Sequence, residues 1–403
     1  MKKYIILTSS ICNMGGAQMY VANKAAYYES LGWETSIYFF IKGEILINRL
    51  QHYSSNFKPE LEYNIWSFSK ARRERIIEDI ISCTSEGDEV VIETNLFSLA
   101  FWGEAIAQKI KGKHVIFILQ ETIPILNKKE AEFFDFKLSR KELINSHSKT
   151  LKNIFKEYFK PEYHFYNYKL LAYCSNVIDY TSTNLPTTIV NADYNILSIG
   201  RLDKEYIKPM LNQIRSFVST HSNKTFNLIF IGGDKSHIMN NYIKDYFREI
   251  INVNLSLLGY IFPVPYDWIK IADISIASSN SVLVTSERGI PTIAIDGRDF
   301  QAIGIHKHTT MNTVFRNSDE PKLEISSLME DVLIKKIHTK TLTDSKLADD
   351  LKLFISPHYD LLNMSSKEKQ YFDVLNIQTS YKQLTFKLKR IFRVIIKSLK
   401  IRL

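Results

Sequence analysis

Three cysteines in 403 residues, Cys12, Cys83 and Cys174, are too few and too far apart for a disulfide framework, and none has the paired spacing of a zinc site. A reducing compartment is the expectation. Glycine and proline are scarce, with 14 and 10 residues, which excludes a collagen-like or low-complexity chain. No run approaches the roughly 18 apolar residues of a bilayer span. The apolar stretch behind Met1-Lys2-Lys3 meets Thr8-Ser9-Ser10 too early to form a signal-peptide core. A soluble or membrane-peripheral protein is expected. Acidic residues are missing after Asp373, where Lys382, Lys387, Lys389, Arg390, Arg393, Lys397, Lys400 and Arg402 carry eight of the nine net positive charges. The rest of the chain is close to neutral, so the basicity is a C-terminal device.

What is present is ordinary globular composition, 45% hydrophobic and 24% charged, in a chain long enough for two domains with separate cores. A short apolar strand from Lys3 to Thr8 leads through Met14-Gly15-Gly16 into a helix at Ala17 to Leu31, and Gly32 stops it before a strand at Glu34 to Phe40. Further strands are expected at Glu89 to Glu93 and His114 to Leu119, with a helix from Ser98 to Ile110 between them and a helical stretch from Lys128 to Lys160 after them. A strand at Leu170 to Cys174 closes the first half. The alternation restarts at Ile196 to Ile199 and continues through strands at Phe226 to Ile231, Asn254 to Leu257, Ile274 to Ala277 and Thr292 to Ile295. Helices at Pro209 to Thr220, Ile238 to Ile251 and Tyr266 to Ile271 separate them. Strands alternating with helices predict parallel sheets, whose ligands sit at the carboxyl ends of the strands.

Three loops at such ends suit a phosphorylated ligand. Gly15-Gly16 lets backbone approach an anion at a helix start, and a ligand-free tight turn is the alternative. It is not the Gly-x-Gly-x-x-Gly dinucleotide fingerprint. Gly200-Arg201-Leu202-Asp203-Lys204 places a guanidinium and an ammonium directly after a strand, where they can neutralise a leaving diphosphate or simply form a solvated charged loop. Gly232-Gly233 is the third.

With "LGWETSIYFF", "ILSIGRLDKE", "NLIFIGGD", "VNLSLLGYI", "IADISIASS" and "GIPTIAID" following Gly15-Gly16-Ala17-Gln18 in that order, the chain resembles a retaining GT-B glycosyltransferase of the large family 4 group. That resemblance implies an α/β fold of two Rossmann-like domains facing across a cleft. It also implies a nucleotide-diphosphate sugar donor held mainly by the second domain, an acceptor held by the first, no cofactor and no required metal. Donor-binding residues would be Gly15, Gly16, Arg201, Lys204, Lys208, Gly232, Gly233, Ser279 and Asn280. Arg201 would meet the diphosphate, which gathers negative charge as it departs.

The match departs from the family pattern in three places. Tyr206 stands where the family has a lysine, with Lys204 and Lys208 on either side. Gln120-Glu121 stands where the family tends to have a histidine; His114, at the start of that strand, is expected to be a surface or core histidine. The family's two glutamates fall, by counting back from Gly289-Ile290-Pro291, on Val284 and Ile276. Glu121 and Glu287 are left as the candidate catalytic carboxylates. A solvated helix carboxylate is the alternative for Glu287, and the loop Ser278 to Ser281 the alternative contact to the donor. His306-Lys307-His308 reads as a polar loop rather than a metal site.

In the tail, Leu384, Leu388, Ile391, Phe392, Ile395, Ile396 and Leu399 recur at helical spacing. Lys387, Lys389, Arg390, Arg393, Lys397 and Lys400 fill the other face, the pattern of a helix lying on an anionic membrane surface. RNA or a partner helix is the competing occupant, but the body carries no nucleic-acid motif, so no nucleic-acid partner is expected.

The expected organisation is an acceptor domain over 1–190, a donor domain over 191–363, a helix crossing back over 364–378, and a membrane-surface tail over 379–403. The expected function is transfer of a sugar to a glycolipid or cell-surface polysaccharide acceptor on the cytoplasmic face of the cell membrane. The alternative is a non-catalytic relative that binds nucleotide and acts as a membrane-associated assembly partner.

Overall fold

A computed structural model describes residues 1–13, 15–118, 125–144, 151, 155, 158, 178–179, 186, 189–233, 237–262, 264–342 and 370–377. Contacts divide the chain into two compact units. The first comprises Met1–Asn13, Lys24–Lys169 and Ile355–Leu403, and the second Met14–Asn23 and Leu170–Phe354.

The first unit is built on a five-stranded parallel sheet: β1 (Lys2–Thr8), β2 (Glu34–Phe39), β3 (Glu89–Thr94), β4 (Lys113–Phe117) and β5 (Leu143–Ile144), in the order β2-β1-β3-β4-β5. These strands are apolar runs rather than alternating patterns because both faces are covered; in β1 every residue from Lys3 to Thr8 is buried. The helices are α1 (Gly16–Ser30), of which only Lys24 onward belongs to this unit, α2 (Lys70–Ile81), α3 (Phe97–Ile110) and α4 (Lys128–Ser139). Helix α3 is buried at every residue from Leu99 to Ala107, which matches its nearly continuous apolar sequence. Ser69 caps α2 by accepting from the Arg72 amide, and Asn127 and Glu130 form a reciprocal capping box on α4.

Between β2 and α2 the chain makes three 3-10 helices at Asn48–Asn56, Pro59–Glu62 and Ile65–Ser67. The helical stretch expected from Lys128 to Lys160 is interrupted: α4 ends at Ser139, while Leu151 and Phe155 are again helical. Lys141 adopts a left-handed φ of 62°, and Leu143–Ile144 then pair with Ile116 and Phe117 of β4.

In the second unit β6 (Ile178–Asp179) forms a small parallel pair with a later strand. β7 (Tyr194–Ile199), β8 (Phe226–Ile231) and β9 (Val253–Leu257) follow, then β10 (Val264–Pro265), the partner of β6, and β11 (Ile274–Ala277), β12 (Thr292–Ile295) and β13 (Ala302–Ile305). The large sheet has the order β13-β12-β11-β7-β8-β9 and is parallel except for β13, which runs antiparallel to β12. Its helices are α5 (Ile207–Thr220), α6 (Ile238–Phe247), α7 (Tyr266–Lys270), α8 (Asn280–Ser286) and α9 (Ile325–Met329). On α5, Ile207, Met210, Leu211, Ile214, Phe217 and Val218 are buried, one face at steps of three and four. Helix α6 ends four residues before the expected Ile251, which is fully exposed.

The described part of the expected crossing helix, 370–377, has no regular structure apart from one 3-10 turn at Val374–Asn376. It packs on the first unit. The Phe372 amide donates to Glu104 Oε1 at 2.9 Å, the Tyr371 hydroxyl donates to the Gly112 carbonyl at 2.9 Å, and Val374 and Ile377 are buried. The membrane-surface tail and the strand at Leu170 to Cys174 lie outside the described residues.

Candidate functional site

Strand order locates the ligand edge of each unit. In the second sheet the chain starts at β7 and adds β8 and β9 on one side and β11, β12 and β13 on the other, so the topological switch point lies between β7 and β11. Ligands of open α/β sheets bind beyond the strand ends at that point.

The loops there are stitched together by backbone. Gly200 donates to the Ile231 carbonyl at 2.9 Å, Leu202 to that of Gly233 at 3.1 Å, and Gly232 to that of Gly259 at 2.7 Å. The Tyr260 hydroxyl also donates to the Gly233 carbonyl, at 2.9 Å. Gly200 and Gly232 have φ of 150° and 143°, in the range that favours glycine.

Around Gly200 stand the polar side chains. Arg201 is exposed, and its Nε lies 3.4 Å from Asp203 Oδ1, a local pair in solvent that leaves most of the guanidinium open. Tyr206 packs its ring into the core under α5, and a Cβ placed on Gly200 would stand 3.3 Å from its hydroxyl and 3.7 Å from Ser281 Oγ. Burial pushes the Tyr206 phenol up to about 12, against an opposing pull from the Arg201 charge.

On the other side of the switch point, Ser278 Oγ donates to the Ile295 carbonyl at 2.9 Å, and the Ser279 amide donates to that of Thr313 at 2.7 Å. Ser279 holds φ 63° and ψ −137°, a conformation that costs a non-glycine residue energy and recurs at functional sites. Gly16, which belongs to this unit by its contacts, lies close to the same loop: a Cβ on it would be 3.7 Å from Asn280 Nδ2. A Cβ on Gly15 would meet Gln18 Oε1 at 2.9 Å.

Thus Gly16, Gly200, Arg201, Gly232, Gly233, Ser279 and Asn280 share one region of the second unit. Lys204 is exposed on the turn before α5. Lys208 points its ammonium at the Tyr242 ring, 4.9 Å from the centroid.

Glu287 stands apart from this group. It caps the carboxyl end of α8, a seven-residue helix about 10 Å long at 1.5 Å per residue, and its Oε2 pairs with Lys307 Nζ at 2.6 Å. Glu287 is thus a half-buried, ion-paired carboxylate at the far end of α8 from Asn280. Glu121, the other expected carboxylate, lies outside the described residues. Next to Glu287, His306 Nδ1 is 2.8 Å from Ser286 Oγ, and burial pushes its imidazole down to about 4. Among the described residues no group of three His, Cys, Asp or Glu side chains could hold a metal ion.

The first unit has its own switch point, between β1 and β3. There Glu93, wholly buried, takes a hydrogen bond from the Tyr4 hydroxyl at 2.6 Å, an ion pair with buried Lys24, and a hydrogen bond from Asn95 Nδ2 at 2.8 Å. Sequence reasoning missed this group; a Glu and an Asn bracketing the end of an otherwise apolar strand were its only signal. His114 is a core histidine, as expected, held by Glu104 at 2.7 Å and Thr94 at 3.0 Å.

No family model matches the chain, and no curated protein matches its sequence. Solved structures match its fold. A glycosyltransferase from Rickettsia africae superposes with a TM-score of 0.53 at 14% identity, covering 91% of this chain and 94% of that one. The UDP-GlcNAc 2-epimerase of Methanocaldococcus jannaschii, determined with UDP-GlcNAc and UDP, gives 0.42 at 14% identity over 89% of this chain and 100% of that one. Anabaena HepE, determined with UDP and glucose, gives 0.47 at 11% identity over 96% and 99%. The chain has an α/β fold of two Rossmann-like units of the kind found in GT-B glycosyltransferases.

Proposed function

We propose that the protein is a glycosyltransferase that moves a sugar from a nucleotide-diphosphate sugar to a lipid-linked or cell-surface polysaccharide acceptor. The supporting observation is Gly200 at the second unit's switch point, its backbone packed on Gly232 of the neighbouring loop, beside the open guanidinium of Arg201. Bare backbone lets a diphosphate come close, and Arg201 offsets the charge that builds on it as the sugar departs.

Retention of anomeric configuration follows the family resemblance, as does placement of the acceptor on the first unit. The basic tail, with Lys387, Lys389, Arg390, Arg393, Lys397 and Lys400, is proposed to keep the enzyme on the cytoplasmic face of the membrane, near an acceptor that cannot leave it. Among the described residues no helix is long and apolar enough to cross a membrane.

A second reading, a nucleotide-binding relative without transfer activity, is favoured by one observation: Glu287, the nearest carboxylate to the family's glutamate positions, is occupied by Lys307. Nucleoside diphosphate release from a panel of nucleotide sugars, with and without extracted lipid acceptor, separates the two. Acceptor-dependent release supports the transferase. Intact donors that nevertheless bind to the folded protein support the second reading.

A further inference from the structure

Gly200 is closed by backbone on one side and faced by two hydroxyls on the other. Toward Gly232 it is closed by backbone, since a Cβ on Gly232 would lie 1.8 Å from the Gly200 carbonyl oxygen. On the side where its own Cβ would project, the nearest atoms are two hydroxyl oxygens, Tyr206 at 3.3 Å and Ser281 at 3.7 Å. Tyr206 ends the loop after β7, and Ser281 stands in the first turn of α8, which follows β11, so the two reach Gly200 from either side of the switch point.

Neither hydroxyl makes a hydrogen bond to any described residue. Tyr206 is otherwise locked in place: it is 8% exposed and its ring belongs to the core formed by Ile207, Met210 and Leu211. A phenol anchored in a core with its oxygen unsatisfied at the core's edge is a directed donor, because the ring cannot swing away. Arg201, next in the chain to Gly200, is near enough for its charge to act on that phenol.

We propose that Tyr206 and Ser281 bind the donor's diphosphate, their neutral hydroxyls donating hydrogen bonds to its phosphoryl oxygens against the bare face of Gly200. This inference rests on the nucleotide-sugar function above and extends it to two residues outside the glycine and arginine set. The chemistry is that of neutral donors around one cation. Tyr206 keeps its proton far above neutral pH and so remains a donor throughout the physiological range. Hydrogen bonds to a charged oxygen are strong enough for each loss to be read as about a tenfold change in affinity.

The test is titration of the full chain with UDP, GDP, ADP and CDP, followed by titration of the best of these and its parent nucleoside into Tyr206→Phe and Ser281→Ala. Tyr206→Phe keeps the ring and its packing, Ser281→Ala removes a single oxygen from a half-buried residue, and thermal midpoints confirm that both fold. The expected result is about tenfold weaker diphosphate binding in each variant with nucleoside binding unchanged. A merely structural effect would weaken both ligands together, and that outcome overturns the proposal, as does diphosphate affinity within about twofold of wild type. Wild type that binds no diphosphate in the panel overturns the nucleotide-sugar function and this inference with it; wild type that binds, with indifferent variants, overturns this inference alone.

Discussion

Gly200 and Gly232 meet backbone to backbone: a Cβ on Gly232 would lie 1.8 Å from the Gly200 carbonyl oxygen and 2.7 Å from its carbonyl carbon. No rotamer relieves such a clash, because the opposing atoms are main chain. Gly232→Ala is therefore expected to split the β7 and β8 loops or to unfold the second unit, at a cost above about 4 kcal/mol. Chemical denaturation checks this; a variant as stable as wild type would mean that the two loops are not so closely joined.

Arg201 contributes little to stability. Its one ion pair, with Asp203, is local and exposed, and such pairs are worth about 0–1 kcal/mol. Arg201→Ala is expected to leave the thermal midpoint within about 2 °C of wild type while lowering kcat/KM for the sugar donor by about 10- to 100-fold. Steady-state kinetics with the donor identified by the release panel provide the measurement.

Ser279 is strained, with φ 63° and ψ −137°. Glycine accepts that conformation freely, so Ser279→Gly is expected to stabilise the second unit by about 1 kcal/mol. Ser279→Ala removes the hydroxyl but keeps the strain and serves as the control. Equal midpoints for the two variants would contradict the strained assignment.

The buried cluster in the first unit predicts acid sensitivity. Burial and the nearby Lys137 push the His114 imidazole down to about 4, against the pull of Glu104. Burial raises the Glu104 carboxyl, but Lys137 and His114 outweigh it and bring it to about 2. Both groups sit below their unfolded values of 6.5 and 4.5, so their contribution is complete above those values. As pH falls the His114 share is lost between 6.5 and about 4, and the Glu104 share between 4.5 and about 2. The histidine share is on the order of 3 kcal/mol. Of the four tryptophans, Trp33, Trp66 and Trp102 lie in the first unit and Trp268 in the second, so denaturation followed by tryptophan fluorescence in a Trp268→Phe background reads the first unit. Wild type should weaken between pH 7 and 4.5, and His114→Gln, weaker at pH 7, should show a flatter dependence.

The strands and their connecting loops were legible because buried parallel strands are written as unbroken apolar runs, Phe226–Ile231 and Thr292–Ile295 among them. Glycines at their ends marked the ligand edge for the same reason. The 3-10 turns between Asn48 and Ser67 carry no such period and were not expected. Chain spacing also hid the pairings that decide roles. Lys307 reaches Glu287 across 20 positions, and Tyr206 and Ser281 converge on Gly200 from opposite sides of the switch point. No local pattern encodes these contacts, since they follow from how the sheet orders its strands.

The most direct test is a crystal structure of the full chain soaked with a mixture of nucleotide sugars. The diphosphate is predicted against Gly200, within hydrogen-bond reach of Arg201 and of the Tyr206 and Ser281 hydroxyls. A nucleotide bound with its phosphates remote from Gly200 and Arg201 would contradict the account.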